Sequence, residues 1–231
     1  MRSVLWGLWV LLSATPALAQ HERVRDDIVD LRHDRWPGGR VLLGWTADNR
    51  AVVHAVASGT HDGSGAPFAT ASLEVIAATK QPGSVDEVQR TPLLDLPCEG
   101  CGADRADADP PGPAWVIPTE VASRAIRAER AALDALGPLQ PSAVGERPVV
   151  KIVAHSCRID LLVGRRLITG MMTIPRASCI ADGGDSSFRD AHLDGVALSP
   201  DRQRLAVTFT VQPRTFEWGD PFDVTVVVDA D

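Results

Sequence analysis

Four groups of residues have the types and spacings to do chemistry. Cys98-Glu99-Gly100-Cys101 sets two thiols three residues apart, the spacing of a redox motif or of half a zinc site. His61 and Asp62 beside Ser64 supply the residue types of a nucleophilic triad. Asp182, Asp185 and Asp190 with His192, and separately Asp104, Asp107 and Asp109, offer ligands for a divalent cation. In each case the surroundings argue for a plainer use. The CEGC segment follows Leu96-Pro97 and runs into an Asp/Pro-rich stretch, whereas a thioredoxin-like centre sits between a strand and a helix. Cys157 and Cys179 lie too far apart to complete a zinc ribbon. Triad partners converge from separate segments, so adjacent His61 and Asp62 do not make one, and Asp62 reads as a turn residue bonding the Gly63–Gly65 backbone. Neither acidic group has the alternating acids, glycine and distal glutamate of a calcium loop. G-x-S-x-G, H-E-x-x-H and a phosphate-binding glycine loop are absent. This reading expects no catalytic residue, no metal and no cofactor. Two enzymatic alternatives stay open. One is a hydrolase or metal-dependent enzyme drawing His61, Asp62, Asp185 and His192 from separate loops. The other is a thiol-redox protein working through Cys98 and Cys101.

The compartment decides how the cysteines are read. Residues 1–19 (MRSVLWGLWVLLSATPALA) carry Arg2, an apolar run over Val4–Leu12 and the small-x-small site Ala17-Leu18-Ala19, the plan of a signal peptide cleaved before Gln20. The run is too short to span a bilayer, and no later window reaches spanning length. The expected product is a soluble periplasmic or extracellular protein. In an oxidising compartment an even number of cysteines favours disulfides, here among Cys98, Cys101, Cys157 and Cys179. The local pairing, Cys98–Cys101 with Cys157–Cys179, is favoured among the three possible. Net charge is −7, and loss of Arg2 with the leader makes it −8, which argues against nucleic acid as a partner.

Around these residues the chain reads as β structure. Arg40–Trp45 and Arg50–Val56 are β-branched runs flanking Thr46-Ala47-Asp48-Asn49, a hairpin turn signal. Thr70–Ala77 makes a third strand. Residues 78–118 hold seven prolines and the CEGC segment and read as a long irregular linker. A helix follows over 119–136. Thr119 is placed to cap it, Ala122, Ile126, Leu133 and Leu136 make its apolar face, Glu129 lies among the arginines of the solvated face, and Gly137-Pro138 ends it. Val149–Ala154, Ile159–Val163 and Leu167–Ile174 are further strands, and Ala181–Gly195 reads as a loop. Leu205, Val207, Phe209 and Val211, then Phe222, Val224, Val226 and Val228, alternate with polar residues as half-buried strands do. The fold class is mostly β or α+β, with antiparallel meanders and hairpins around one helix. The chain divides into a leader (1–19), an N-terminal β meander (20–77), the linker (78–118), and a helix plus C-terminal β region (119–231) that forms one compact domain with 20–77. His54 reads as a half-buried strand residue, and Trp36, Trp45, Trp115 and Trp218 as packing residues.

Ser199-Pro200-Asp201 before Arg204 echoes Thr46-Ala47-Asp48 before Arg50. Such turns resemble those of propeller repeats, but two echoes are too few for a propeller. Residues 42–77 resemble the start of a bacterial family of predicted secreted proteins of unknown function. That family carries a GFSPDGR-type hairpin followed by a DGSG-x-P-aromatic segment, matched here by Gly44, Asp48 and Arg50, then Asp62, Gly63, Ser64, Gly65, Pro67 and Phe68. Ala47, Asn49 and Phe68 depart from the usual Pro, Gly and Tyr. The resemblance implies an exported β-rich domain and no particular activity. The expected function is that of a non-catalytic binding or structural module of the cell envelope. It would meet an envelope protein or ligand through Asp48, Arg50, Asp62, Ser64 and Phe68.

Overall fold

β-branched runs separated by turn residues build three antiparallel meanders, and one helix covers the first of them. The computed structural model describes residues 39–60, 67–78, 88–96, 102–104, 114–116, 118–155, 157–173, 188–213 and 221–231. The first sheet holds β1 (Gly39–Trp45), β2 (Ala51–Thr60), β3 (Pro67–Ile76) and β4 (Val88–Leu96) in chain order. A short ribbon pairs β5 (Gly102–Asp104) with β6 (Ala114–Val116). After α1 (Thr119–Leu136), β7 (Val150–His155), β8 (Arg158–Val163) and β9 (Arg166–Thr173) form the second sheet. β10 (Phe188–Leu198), β11 (Arg204–Pro213) and β12 (Phe222–Asp229) form the third. Residues 1–19, residues 61–66 with His61, Asp62 and Ser64, and Cys98, Cys101, Cys179, Asp107, Asp109, Asp182, Asp185, Trp36 and Trp218 lie outside the described residues.

The third sheet is covered on both faces. Leu205, Val207, Phe209 and Val211 of β11 are fully buried in a core shared with Ile159, Leu161 and Val163 of β8. From the opposite face, Ala206 and Val227 pack against Trp45, Ala51, Val53 and Ile76 of the first sheet. The first sheet is covered twice as well: Val52, Leu73 and Val75 pack against Ala122, Ala125 and Leu133 of α1. That double burial is why Ala51–Val56 shows little alternation, with His54 its one polar residue. His54 follows the side of Val52 and is 3% exposed, so it is a core residue rather than a half-buried one. Trp45 is fully buried, and its indole N–H donates to Ser142 Oγ at 3.1 Å.

Several boundaries differ from the sequence expectation. The linker contains β4, which pairs with β3 despite Pro92. β4 is an edge strand with a register shift opposite Ala71 and Ser72, positions where a residue without an N–H is tolerated. Most of the expected 181–195 loop is β10, whose polar side chains suit its exposed edge position. Pro118, not Thr119, is the helix N-cap, and no side chain caps α1. Glu129 faces the core at 5% exposure, beside Ala125 and Leu133. In β12, Thr225 and Val227 are buried, because the third sheet has a second covered face that alternation alone does not reveal, while Phe222 at the start of the strand is 40% exposed.

β1 is pinned from outside its sheet. Trp45 N–H donates to Gln140 O at 2.9 Å, and Gln140 N–H returns the bond at 2.8 Å. The chain leaving α1 therefore lies against the bulge at Gly44, where a β-carbon would come 2.9 Å from Gln140 O. Gly44→Ala is expected to cost about 1–3 kcal/mol through forced displacement of that segment. Urea unfolding measures it, and an unchanged midpoint contradicts the assignment.

Candidate functional site

The two echoing turns meet in space. Thr46 C=O accepts from Asn49 N–H, and Ser199 C=O accepts from Arg202 N–H, each at 2.9 Å. In both, a hydroxyl donates to the turn aspartate (Thr46 to Asp48, 2.5 Å; Ser199 to Asp201, 2.6 Å) and accepts from the N–H of the closing arginine, Arg50 or Arg204. The residue after each aspartate takes positive φ, 59° at Asn49 and 63° at Arg202. This is the glycine position of the turn, and asparagine tolerates it best among the other residues. Asn49 Nδ2 donates to Asp201 Oδ2 at 2.7 Å, and Arg204 donates to Asn49 C=O at 3.2 Å, clasping the hairpins together. Of the sequence-predicted binding residues, Asp48 and Arg50 thus pair with each other at 2.8 Å on this clasp. Phe68 sits in β3 opposite Gly59.

The remaining sequence candidates do not come together among the described residues. His192 pairs with Asp194 at 3.2 Å on the exposed face of β10, and Asp190 bonds the neighbouring Ala191 N–H. No group of three His, Cys, Asp or Glu side chains able to hold a metal occurs among the described residues. Cys157, between β7 and β8, is disulfide-bonded to a partner outside the described residues.

A cleft that the sequence reading missed lies between the first sheet and the start of β12. Its volume is about 550 Å³. The cross-strand register puts Ala55 opposite Ser72, and Ala57 opposite Thr70, so small side chains make the floor. At one end stands Glu74, 1% exposed, between two guanidinium groups. Arg90 reaches Glu74 Oε1 at 2.7 Å through Nη2 and 2.8 Å through Nε. Arg40 bonds Glu74 Oε2, and its Nε donates to Thr225 Oγ1 at 3.0 Å. The far end carries Asp95, opposite Thr70, while Pro221, Phe222 and Asp223 form the β12 wall. Asp223 accepts from Thr210 Oγ1 at 2.7 Å.

These groups can hold a charged ligand. A carboxylate between two guanidinium groups leaves one net positive charge, and each guanidinium keeps N–H donors to offer an anion. The described lining contains hydroxyls but no imidazole or thiol to pair with them. In sequence Glu74 passes for a solvent-facing strand residue, and Arg90 falls in the segment read as linker. The one available signal was a lone acid in the otherwise apolar run Leu73–Ala78.

Two measurements follow from this geometry. Glu74→Ala is expected to destabilise the protein by about 3–5 kcal/mol, because it strands Arg40, whose side chain is only 13% exposed. Arg90→Ala is expected to cost about 0–1 kcal/mol, since that side chain is 65% exposed. Equal costs in urea unfolding contradict the asymmetry. The second concerns pH. The Thr46 hydroxyl holds the Asp48 carboxyl below the usual carboxylate range, and the Ser199 hydroxyl does the same for Asp201. A lowered folded-state pKa stabilises fully above the unfolded value and is lost as pH falls through the folded one. The stability gap between the natural protein and an Asp48→Asn/Asp201→Asn double variant should therefore shrink from about pH 5 to about pH 2. A constant gap contradicts the hydroxyl–carboxylate account.

No family model, no curated protein and no solved structure matches the chain.

Proposed function

We propose that the protein is an exported, non-catalytic binding module of the cell envelope that takes an elongated polar ligand into the cleft between the first sheet and β12. The observation that carries this reading is a trough kept open by Ala55, Ala57, Thr70 and Ser72, with the Arg40–Glu74–Arg90 cluster at one end and Asp95 at the other. Charged groups held in place at the ends of a small-residue floor select a ligand by its length and polar ends. The leader-like residues 1–19 and the resemblance of residues 42–77 to secreted proteins support export to the periplasm or beyond. Pairing of Cys157 with Cys179, and of Cys98 with Cys101, suits that compartment. The strand ends Thr60 and Pro67, which carry the DGSG connection, lie three residue pairs beyond Ala57 and Thr70 at the same end of the sheet.

Filling the trough tests the reading. The mature protein and its Ser72→Trp and Ala57→Trp variants are equilibrated with a digest of envelope material, and retained molecules are identified by mass spectrometry. With circular dichroism unchanged, the natural protein should retain species that both variants lose. Retention of the same species by all three proteins, or of none by the natural one, overturns it.

A further inference from the structure

We infer that the cleft binds a short extended peptide, with its free C-terminal carboxylate at Arg40 and Arg90 and a basic residue three positions earlier at Asp95. The inference rests on the cleft being the binding site. Thr70 and Glu74 lie four residues apart on one strand, so the charged ends of the trough are separated by about 13 Å, the span of about four extended residues. The two ends have opposite preferences. Glu74 neutralises one of its two guanidinium partners, so the cluster itself keeps one positive charge and free N–H donors that fit a carboxylate, while Asp223, bonded to Thr210, bounds that end from the β12 wall. Asp95 is exposed and makes no ion pair with a described residue, so its charge remains to attract a cation. Between the ends, Ala55 and Ala57 leave room for small side chains, and the Ser72 and Thr70 hydroxyls can bond a peptide backbone. Phe222, 40% exposed on the opposite wall, supplies apolar contact. A ligand with one charge, or with both charges closer together, leaves one end of the trough unanswered.

Calorimetric titration of the mature chain with Lys-Ala-Ala-Ala, its C-terminal amide, Glu-Ala-Ala-Ala and the dipeptide Lys-Ala tests this. Lys-Ala-Ala-Ala as the free acid should bind at least tenfold more tightly than each of the other three. Arg90→Gln should erase the preference for the free acid, and Asp95→Asn should erase the preference for Lys over Glu. Equal affinities in the natural protein, preferences untouched by either substitution, or no heat with any peptide at millimolar concentration would overturn the peptide assignment. The trough-filling variants judge separately whether the cleft binds anything: species lost by Ser72→Trp while all four peptides fail would leave a binding cleft for another class of ligand.

Discussion

The burial of both faces of the third sheet is the constraint on which the other layers depend. β11 places Leu205, Val207, Phe209 and Val211 against the second sheet and Ala206 against the first. Each face exposes its apolar side chains unless its covering layer is present, so the three meanders stabilise one another. The contact with the first sheet sets Ala206, Ala197 and Val227 against Ala51, Val53, Ile76 and Trp45. It lies at the turn end, where Asn49, Asp201 and Arg204 fix how one hairpin meets the other. Toward the opposite end the first sheet presents Glu74, Ser72 and Thr70 in place of apolar residues, and the cleft lies there. The cleft and the clasp are opposite ends of one interface.

The sequence shows periodicity where a strand has one covered face and loses it where there are two. Leu205–Val211 alternates because the residues between are Ala and Thr, and its deeply buried face was legible. Ala51–Val56 was legible as a strand, but not as one wedged between a helix and a sheet. Glu129 reads as part of a solvated face and Glu74 carries no signal of burial, because charge usually stays in water; each is buried by a layer that only the tertiary fold supplies. β4 and β10 were hidden by Pro92 and by a polar run, features that edge positions accept and central ones do not. The turn echo was visible in the residues. That the two turns touch was not, because contact across about 150 residues leaves no local pattern.

The Arg40–Glu74–Arg90 cluster is a poor way to stabilise a protein. Withdrawing a carboxylate from water costs several kcal/mol, and replacing such a cluster with well-packed apolar side chains is often neutral or better. An apolar residue at position 74 would continue the packing begun by Ile76 and close the trough at that end. Glutamate instead holds two guanidinium groups at the cleft wall with their planes constrained, while Thr225 fixes Arg40 from the third sheet. A carboxylate that orients two arginines at a cavity has a use in recognition that it lacks in stability.

The two turns carry that argument into the clasp. Both require a residue at positive φ, where glycine would be cheapest, and neither uses it. Asn49 tolerates the conformation and turns its amide to Asp201. Arg202 bears a greater backbone cost, but its guanidinium donates to Val144 and Glu146 carbonyls at 3.1 and 2.9 Å, tying the segment after α1 to the third sheet. Glycine would relax each turn and remove each tether. At both positions backbone ease is given up for a long-range bond, and those bonds hold the hairpins, the post-helical segment and the third sheet in the arrangement that leaves the cleft open.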